Sequence, residues 1–563
     1  MAFQDAKYQE CQSWWDNEVY NLVDMRYEQV QNYITGRWVL TVKRDKQGNF
    51  EKCKARWVLR GFQDKQIWNL QTDAPTSTRP GFRLQCQVAA SFGWDLTHVD
   101  LKTAFLQGDS YGAQRDVVCQ LPPEAGLPDY VGARLKKSAY GLNDAPRLWW
   151  NKLDRKLRGY GLVPTRADRC CYVLYRERNN STRGRVWPGS AQLRRRQALQ
   201  PAPANAKEAS DLVSLIDDGY DFKMLSLGSN TMLVSSSYFE DPHEARDEAL
   251  KMILDPVTGS NATGKEVIGI ITIHVDDCFM CGDKTFKAIV NMIRTDFQVG
   301  SEDLNDVMFV GQRIRWIDKN EVWGYIKVDQ TVKIEELAEI SLESGKADTL
   351  SLSKDLHTQY RSLLGQINWL QSRTQFVACY AFSRCASASQ NPTYGDARNL
   401  NKLARTIRSK DVALNYFKLQ GSLRIIGYPD AAHRNNEDKT SQRGQTIFLA
   451  EPRQANRISP KGSLVDYESQ KIKRTVLSTT VSELYAFMKC YGSCQFLRGL
   501  WKDISGQTAE VHMRTDANNL VTTAQTTHLP EQKETIHMIQ MDCLLYTSPS
   551  PRDATLSRMP SSA

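Results

Sequence analysis

The sequence predicts an α+β multidomain protein, and three observations carry that expectation. Short β-branched runs end on carboxylates around residues 94–100, 267–277, 423–430 and 511–516. Helical spacing of apolar residues marks other stretches, above all 331–418. At 563 residues, the chain is long enough for roughly three or four domains.

Bulk chemistry narrows the class of partner. A formal net charge of +9 favours a polyanion. Thirteen cysteines, odd in number and scattered, argue against a disulfide framework and for a reducing compartment. The N-terminal Met1-Ala-Phe-Gln-Asp-Ala-Lys7 has no apolar core of signal-peptide length. No run approaches the ~20 apolar residues of a membrane span. The expectation is an intracellular protein with no membrane partner.

Residues 1–36 carry helical spacing (Tyr8, Cys11, Trp14, Trp15, Val19, Leu22) and predict one or two helices. Residues 37–62 hold two strand-like runs around Gly48-Asn49, so a cation-rich hairpin is expected. Asp100 closes the next strand, and Phe105 follows it. Tyr140-Gly-Leu-Asn-Asp-Ala-Pro146 then opens a helix carrying Trp149 and Trp150, and its glycine permits close backbone approach. Residues 166–264 read as an insertion: loop-like around 179–205, with Arg194, Arg195 and Arg196, and a capped helical pattern at 241–254. A solvated linker is the simpler account of those arginines, contact with nucleic acid the sharper one.

The run from Val267 ends on Asp276-Asp277, and a short apolar segment follows at once. A hairpin with the acidic pair at its tip is expected. Neighbouring aspartates repel and desolvate badly, so they face water or are neutralised by a divalent cation. The second option needs a third carboxylate from another strand, and Asp100 offers one. Cys278 and Cys281 alternate with apolar residues and lack a second pair, so core thiols are expected rather than zinc ligands. Helices are expected over 286–297, 332–340, 356–370 and 398–409. Asp430 then ends a strand, Glu483 enters the first turn of a helix, and Asp516 ends a further strand.

In this order the motifs resemble the reverse transcriptase and ribonuclease H of copia-type LTR retrotransposons. Val99-Asp-Leu-Lys-Thr-Ala-Phe105 is similar to the family's first catalytic motif, and His274-Val-Asp-Asp277 to its Tyr-x-Asp-Asp motif. Residues 139–149 resemble its Leu-Tyr-Gly-Leu-Lys-Gln-Ala-Pro-Arg-x-Trp signature. Tyr360-Arg-Ser-Leu-Leu-Gly365 resembles the thumb and connection motif, and Ser478-Thr-Thr-Val-Ser-Glu483 the ribonuclease H. This sequence departs from the family with His274 for Tyr and Asn143-Asp144 for Lys-Gln, which removes a cation near the template.

The resemblance implies a right-hand polymerase of fingers, palm and thumb, followed by an α/β ribonuclease H-like domain. The domain plan it implies is a helical lead-in (1–36), fingers and palm (37–165), insertion (166–264), palm continuation (265–330), thumb and connection (331–420), ribonuclease H-like domain (421–541) and a non-native tail (542–563). It implies two Mg²⁺ ions per active site, with Mn²⁺ as an alternative, held by Asp100, Asp276 and Asp277 in one and by Asp430, Glu483 and Asp516 in the other. Arg56 and Lys43 would clamp the triphosphate, Gly141 would lie along the nucleotide, and Phe105 would exclude a ribose 2′-hydroxyl. Implied partners are RNA template, DNA primer, RNA–DNA hybrid and dNTPs, beside a dimer mate or other element-encoded proteins. The implied location is the cytoplasm, in a virus-like particle, and the nucleus. His537 stands where the family has a fourth ribonuclease H carboxylate, so RNA cleavage is expected to be the weaker activity. The alternative is a decayed element protein that binds nucleic acid without catalysis. A plain basic binding protein would explain the charge but not two ordered carboxylate sets.

Overall fold

The computed structural model describes residues 2–44, 49–177, 225–227, 230–232, 265–436, 438–452, 461–476 and 478–517. Helix α1 (Ala2–Asp16) is followed by strands β1 (Tyr20–Asp24) and β2 (Tyr33–Ile34). β3 (Gly36–Arg44) and β4 (Phe50–Leu59) form the expected hairpin, with Trp38 opposite Trp57. Next come α2 (Arg79–Phe92), β5 (Asp95–Leu101), β6 (Val118–Cys119), β7 (Val131–Leu135) and α3 (Ala145–Gly159). β8 (Val163–Pro164) and β9 (Cys171–Glu177) precede a short strand pair, β10 (Leu225–Leu227) and β11 (Asn230–Met232).

The acidic hairpin is β12 (Lys265–His274) with β13 (Asp277–Gly282), followed by α4 (Lys287–Asp296). β14 (Val299–Leu304), β15 (Asp306–Phe309), β16 (Gln312–Ile317) and β17 (Tyr325–Asp329) come next. The helical stretch holds α5 (Thr331–Glu335), α6 (Lys354–Arg373), α7 (Cys379–Ser387) and α8 (Tyr394–Arg408). Strand β18 (Leu414–Phe417) leads into β19 (Arg424–Ala432), β20 (Gln442–Ala450), β21 (Gly462–Lys471), the long helix α9 (Thr479–Ser505) and β22 (Glu510–Met513).

The central sheet has the order β14-β5-β13-β12-β9-β8 and is antiparallel throughout. Its middle strands are continuously apolar because both faces are covered. Ile270, Phe279 and Cys281 join α2 in one core, while Ile271, Ile273, Cys278 and Met280 join α3 and α4 in another. Cys278 and Cys281 are buried free thiols, as core residues should be. The last sheet has the order β21-β20-β19-β22, with only the β19–β22 pair parallel, and α9 packs across it. The α+β architecture is therefore as expected. Among the described residues, no helix is long and apolar enough to cross a membrane.

Several local expectations are corrected. Residues 17–36 are not helical: Glu18 adopts a left-handed φ of 50° after α1, and β1 then pairs along β7 from Tyr20↔Leu135 to Asp24↔Val131. Val19 and Leu22, which fit a helical stripe, belong to that strand region. Residues 171–177 are not part of an insertion. Their apolar, aromatic alternation makes β9, which pairs with β12 and buries Tyr172 and Val173 in the central sheet. The helix expected over 332–340 stops at Glu335, although Leu337 and Ile340 still reach the helical core. The patterns read at 179–205 and 241–254, the segment around His537 and the tail lie outside the described residues.

Arg83 joins three units. It is 1% exposed. From α2 its guanidinium donates to the Arg373 carbonyl of α6 at 3.0 Å and the Val465 carbonyl of β21 at 3.3 Å. It also lies 3.6 Å from Asp466 and 4.4 Å from the centre of the Tyr467 ring. A buried guanidinium is tolerable only with this many partners. The last sheet is thereby tied to the body that carries the first acidic cluster.

Candidate active sites

The β12–β13 register pairs His274 with Asp277, leaving Val275 and Asp276 as a two-residue tip. Such tips favour glycine or asparagine because φ is positive there. Here Val275 takes φ 63°, an unfavourable value for a β-branched residue. Two hydrogen bonds hold the tip: the Trp149 indole N–H donates to the Val275 carbonyl at 2.7 Å, and the Leu101 N–H to the Asp276 carbonyl at 3.0 Å. Trp149 is the tryptophan of the 139–149 signature, and its ring is buried.

Across the sheet, Asp277 is the register partner of Asp100. Asp100, Asp276 and Asp277 each offer one oxygen within 4.8 Å of the others. Burial, then Asp277, then Asp100 push the Asp276 carboxyl up to about 6, while Arg56 pulls it down. Gly300 makes room for the cluster, since a Cβ there would sit 2.6 Å from Asp100 Oδ2. A residue that sequence reasoning missed completes it: His98 Nε2 lies 3.1 Å from Asp277 Oδ1. Its position two before Asp100 on a strand, hence on the same face, was the available signal.

The nucleotide-side expectations divide. Arg56 projects from β4 with its guanidinium 5.1 Å from the Tyr140 ring centre, and its buried Nε has no acceptor among the described residues. Phe105 packs edge-to-face on the same ring, centroids 5.7 Å apart. Gly141 is required where it stands: φ is 92°, and a Cβ would meet the Leu59 carbonyl oxygen at 2.1 Å. The Leu59 N–H donates to the Tyr140 carbonyl at 2.8 Å, docking the hairpin on this turn. The backbone of Lys43 lies in β3, but its side chain is outside what the structure describes. Asp144 does not face a template. It is 4% exposed and bound by Arg115 at 3.1 Å, which also holds Asp64. His274 is half-buried, and burial followed by Arg373 lowers its pKa.

The second cluster joins Asp430 on β19, Glu483 of α9 and Asp516 just after β22, again with one oxygen each within 4.8 Å; α9 starts at Thr479, so Glu483 lies just beyond the first turn in which it was expected. Ser478 caps α9 by accepting from the Val481 N–H at 3.2 Å, which fixes the turn that leads to Glu483. Gly427 lets the helix cross the sheet closely, because a Cβ there would meet Cys494 Sγ at 2.8 Å. Burial and Asp430 push Glu483 up to about 7, and its Oε2 has no partner among the described residues. Asp430 and Asp516 are exposed.

A cleft of about 950 Å³ is lined in part by Arg79, Arg373, Lys471, Lys473 and Ser469, residues of α2, α6 and the β21 region. Arg373 is half-buried, and burial followed by Arg79 and Arg83 lowers its pKa, a crowding of like charge. Ser469, Gly444 and Asp430 form one row across β21, β20 and β19.

Residues 17–182 match the family model described as reverse transcriptase (RNA-dependent DNA polymerase). The retrovirus-related Pol polyprotein from transposon TNT 1-94 of Nicotiana tabacum is 29% identical over 178 residues, 31% of this chain and 13% of that protein. The corresponding polyprotein from transposon RE2 of Arabidopsis thaliana is 33% identical over 147 residues, 25% of this chain and 10% of that protein. The alignments thus span only about a tenth of each relative's length. Among solved structures, the foamy viral protease-reverse transcriptase dRH in complex with double-stranded DNA has a TM-score of 0.47 at 12% identity, covering 99% of this chain and 70% of that one. The foamy viral protease-reverse transcriptase in complex with RNA/DNA hybrid has a TM-score of 0.43 at 12% identity, covering 96% and 53%. Over residues 17–182, then, this chain matches the reverse transcriptase model, and the relatives that share part of its sequence are retrotransposon Pol polyproteins.

Proposed function

We propose that the chain is an intracellular RNA-directed DNA polymerase with an appended ribonuclease H-like unit, using RNA template, DNA primer and dNTPs. The observation that carries the reading is the meeting of Asp100, Asp276 and Asp277 where β5 reaches the β12–β13 tip. Three acids this close, one raised to about 6 by burial and its neighbours, fit a divalent cation. The second trio fits one for the same reason, with the orphaned Glu483 Oε2 as an open donor. Mg²⁺ is the proposed ion, two per site, with Mn²⁺ as a substitute. When bound, the ions stabilise charge on the phosphate under attack and lower the pKa of the attacking primer hydroxyl or water.

The chain's own residues bind and select. Arg56 offers a planar fork suited to bidentate grip on triphosphate oxygens. Phe105, braced by Tyr140, takes up the space of a 2′-hydroxyl, and Gly141 brings backbone close to the nucleotide. The cationic cleft offers phosphate contacts for the hybrid along the row that leads to Asp430. Fingers, palm, thumb and ribonuclease H-like units are assigned to the hairpin, the central sheet, α6–α8 and the last sheet.

Primer extension on an RNA template with Mg²⁺ tests the reading, with Asp276→Asn as control. Synthesis by the wild type, lost in the variant while template–primer binding persists, is the expected result. Binding without synthesis in the wild type would favour the decayed-element reading.

A further inference from the structure

We propose that His98 is a positioning residue for Asp277, fixing the rotation of that carboxylate toward Asp100 and Asp276 so that the trio is arranged for a divalent cation. The inference rests on the polymerase reading above and adds to it a residue outside the acidic motifs. His98 and Asp100 project from the same face of β5. Register puts Phe279 of β13 on one side of His98 and Asp303 of β14 on the other, with Asp277 as the diagonal neighbour. His98 Nε2 lies 3.1 Å from Asp277 Oδ1, and Nδ1 lies 4.0 Å from Asp303 Oδ2. The imidazole therefore sits in a row with a carboxylate at each end, the three groups coming from three adjacent strands.

An ordinary core histidine would satisfy itself on the main chain. This one is 5% exposed and steadied by the Phe309 ring, centroids 6.5 Å apart, yet spends Nε2 on the carboxylate at the mouth of the cluster. The terminal torsion of an aspartate is soft, and Asp277 is only half-buried. Without the imidazole, water would compete for Oδ1 and the carboxylate would swing. With the proton on Nε2, the buried ring donates to Oδ1 and holds the group in one orientation before any ion arrives. Hydrogen bonds that orient a ligand in this way are typically worth 10–100-fold in metal affinity.

Mn²⁺ binding to the full chain tests this, followed by the electron paramagnetic resonance of the free ion with nucleic acid absent. Glu483→Gln in the background weakens the second cluster, and Asp276→Asn identifies the first. His98→Leu, which keeps apolar volume but no donor, should raise the Mn²⁺ dissociation constant roughly tenfold or more. His98→Gln, whose amide can donate to the same oxygen, should recover most of that loss. In single-nucleotide incorporation, His98→Leu should raise the half-saturating metal concentration more than it lowers the rate at saturating metal. Unchanged Mn²⁺ affinity in His98→Leu, or equal loss in both variants, overturns the proposal and returns His98 to the core. If the parent binds no Mn²⁺ that Asp276→Asn removes, the polymerase reading itself fails and the inference falls with it.

Discussion

Both acidic clusters bring three carboxylates within 4.8 Å of one another, but their surroundings differ. The first sits on a hairpin tip braced from three directions: Trp149 on the Val275 carbonyl, His98 on Asp277, and the Arg56 field on Asp276. The second has two exposed carboxylates and a third, Glu483, whose Oε2 lacks a partner among the described residues. A pre-arranged site loses little on binding its ligand, whereas a loose one must be ordered by it. On the proposed reading, the first centre is set by the fold and the second depends more on what it binds.

The largest expected effects separate the two centres. Asp276→Asn should cut DNA synthesis on the order of 10³-fold, as follows from losing several kcal/mol of charge stabilisation. RNA cleavage in a preformed hybrid should be unaffected. Glu483→Gln should do the reverse, abolishing an already slower cleavage and sparing synthesis. Parallel assays on one labelled hybrid would check both. If either variant lost both activities, the clusters would not be independent, and Arg83 would be the first suspect as the link.

How far these centres were legible follows from the same contrast. Asp100, Asp276, Asp430, Glu483 and Asp516 lie in or beside strands or near a helix start, and it was their order within family-like motifs, not local pattern alone, that marked them. The braces were not legible, because they depend on register and tertiary contact. His98 meets Asp277 only through the β5–β13 alignment, and Trp149 reaches Val275 across 126 residues of chain. Asp144 looked like a template-side change until Arg115, 29 residues away, turned it inward. Local periodicity also misled at residues 17–36, where a distant strand at 131–135 decided the outcome. The strand at 171–177 was lost for a related reason: its partner β12 lies beyond 225–232 in sequence.

Phe105→Ala should come next in size. Its ring is braced by Tyr140 and stands five residues after Asp100, so removing it opens space beside the sugar. The ratio of dNTP to rNTP incorporation efficiency should fall roughly tens-fold, in line with what a filled apolar pocket can discriminate. Any RNA cleavage by the second cluster should be unchanged. An unaltered ratio would leave Phe105 as packing for Tyr140 and nothing more.

The pH dependence of metal-free stability would sharpen the contrast. Asp276 is raised from 3.8 to about 6, so the folded state holds its proton longer than the unfolded chain. Where the folded state binds more protons, stability falls as pH rises. For Asp276 the loss should run from about pH 4 to about 6 and amount to on the order of 2 kcal/mol, allowing for partial exposure. Glu483, raised from 4.5 to about 7, extends the decline to about pH 7. Urea midpoints measured against pH should show Asp276→Asn flattening the lower part of the decline and Glu483→Gln the upper. Identical stability–pH profiles for wild type and both variants in metal-free buffer would contradict both placements.

The smallest effect tests the bracing directly. Trp149→Phe keeps most of the buried ring but removes the N–H that donates to the Val275 carbonyl at 2.7 Å. That carbonyl belongs to a residue held at φ 63°, so the bond restrains a backbone that would otherwise relax toward the β region. Losing one buried hydrogen bond should cost about 1–2 kcal/mol of stability, read as a lower urea midpoint. If the bond also places Asp276, the rate of single-nucleotide incorporation at saturating dNTP should drop several-fold, because small misplacement at a reacting centre is costly. KM for dNTP should move less, since Arg56 and the Tyr140 turn are untouched. RNA cleavage should keep its rate, because no residue of the second trio contacts the tip. A stability loss with an unchanged incorporation rate would show that Leu101, donating to the Asp276 carbonyl, is brace enough by itself.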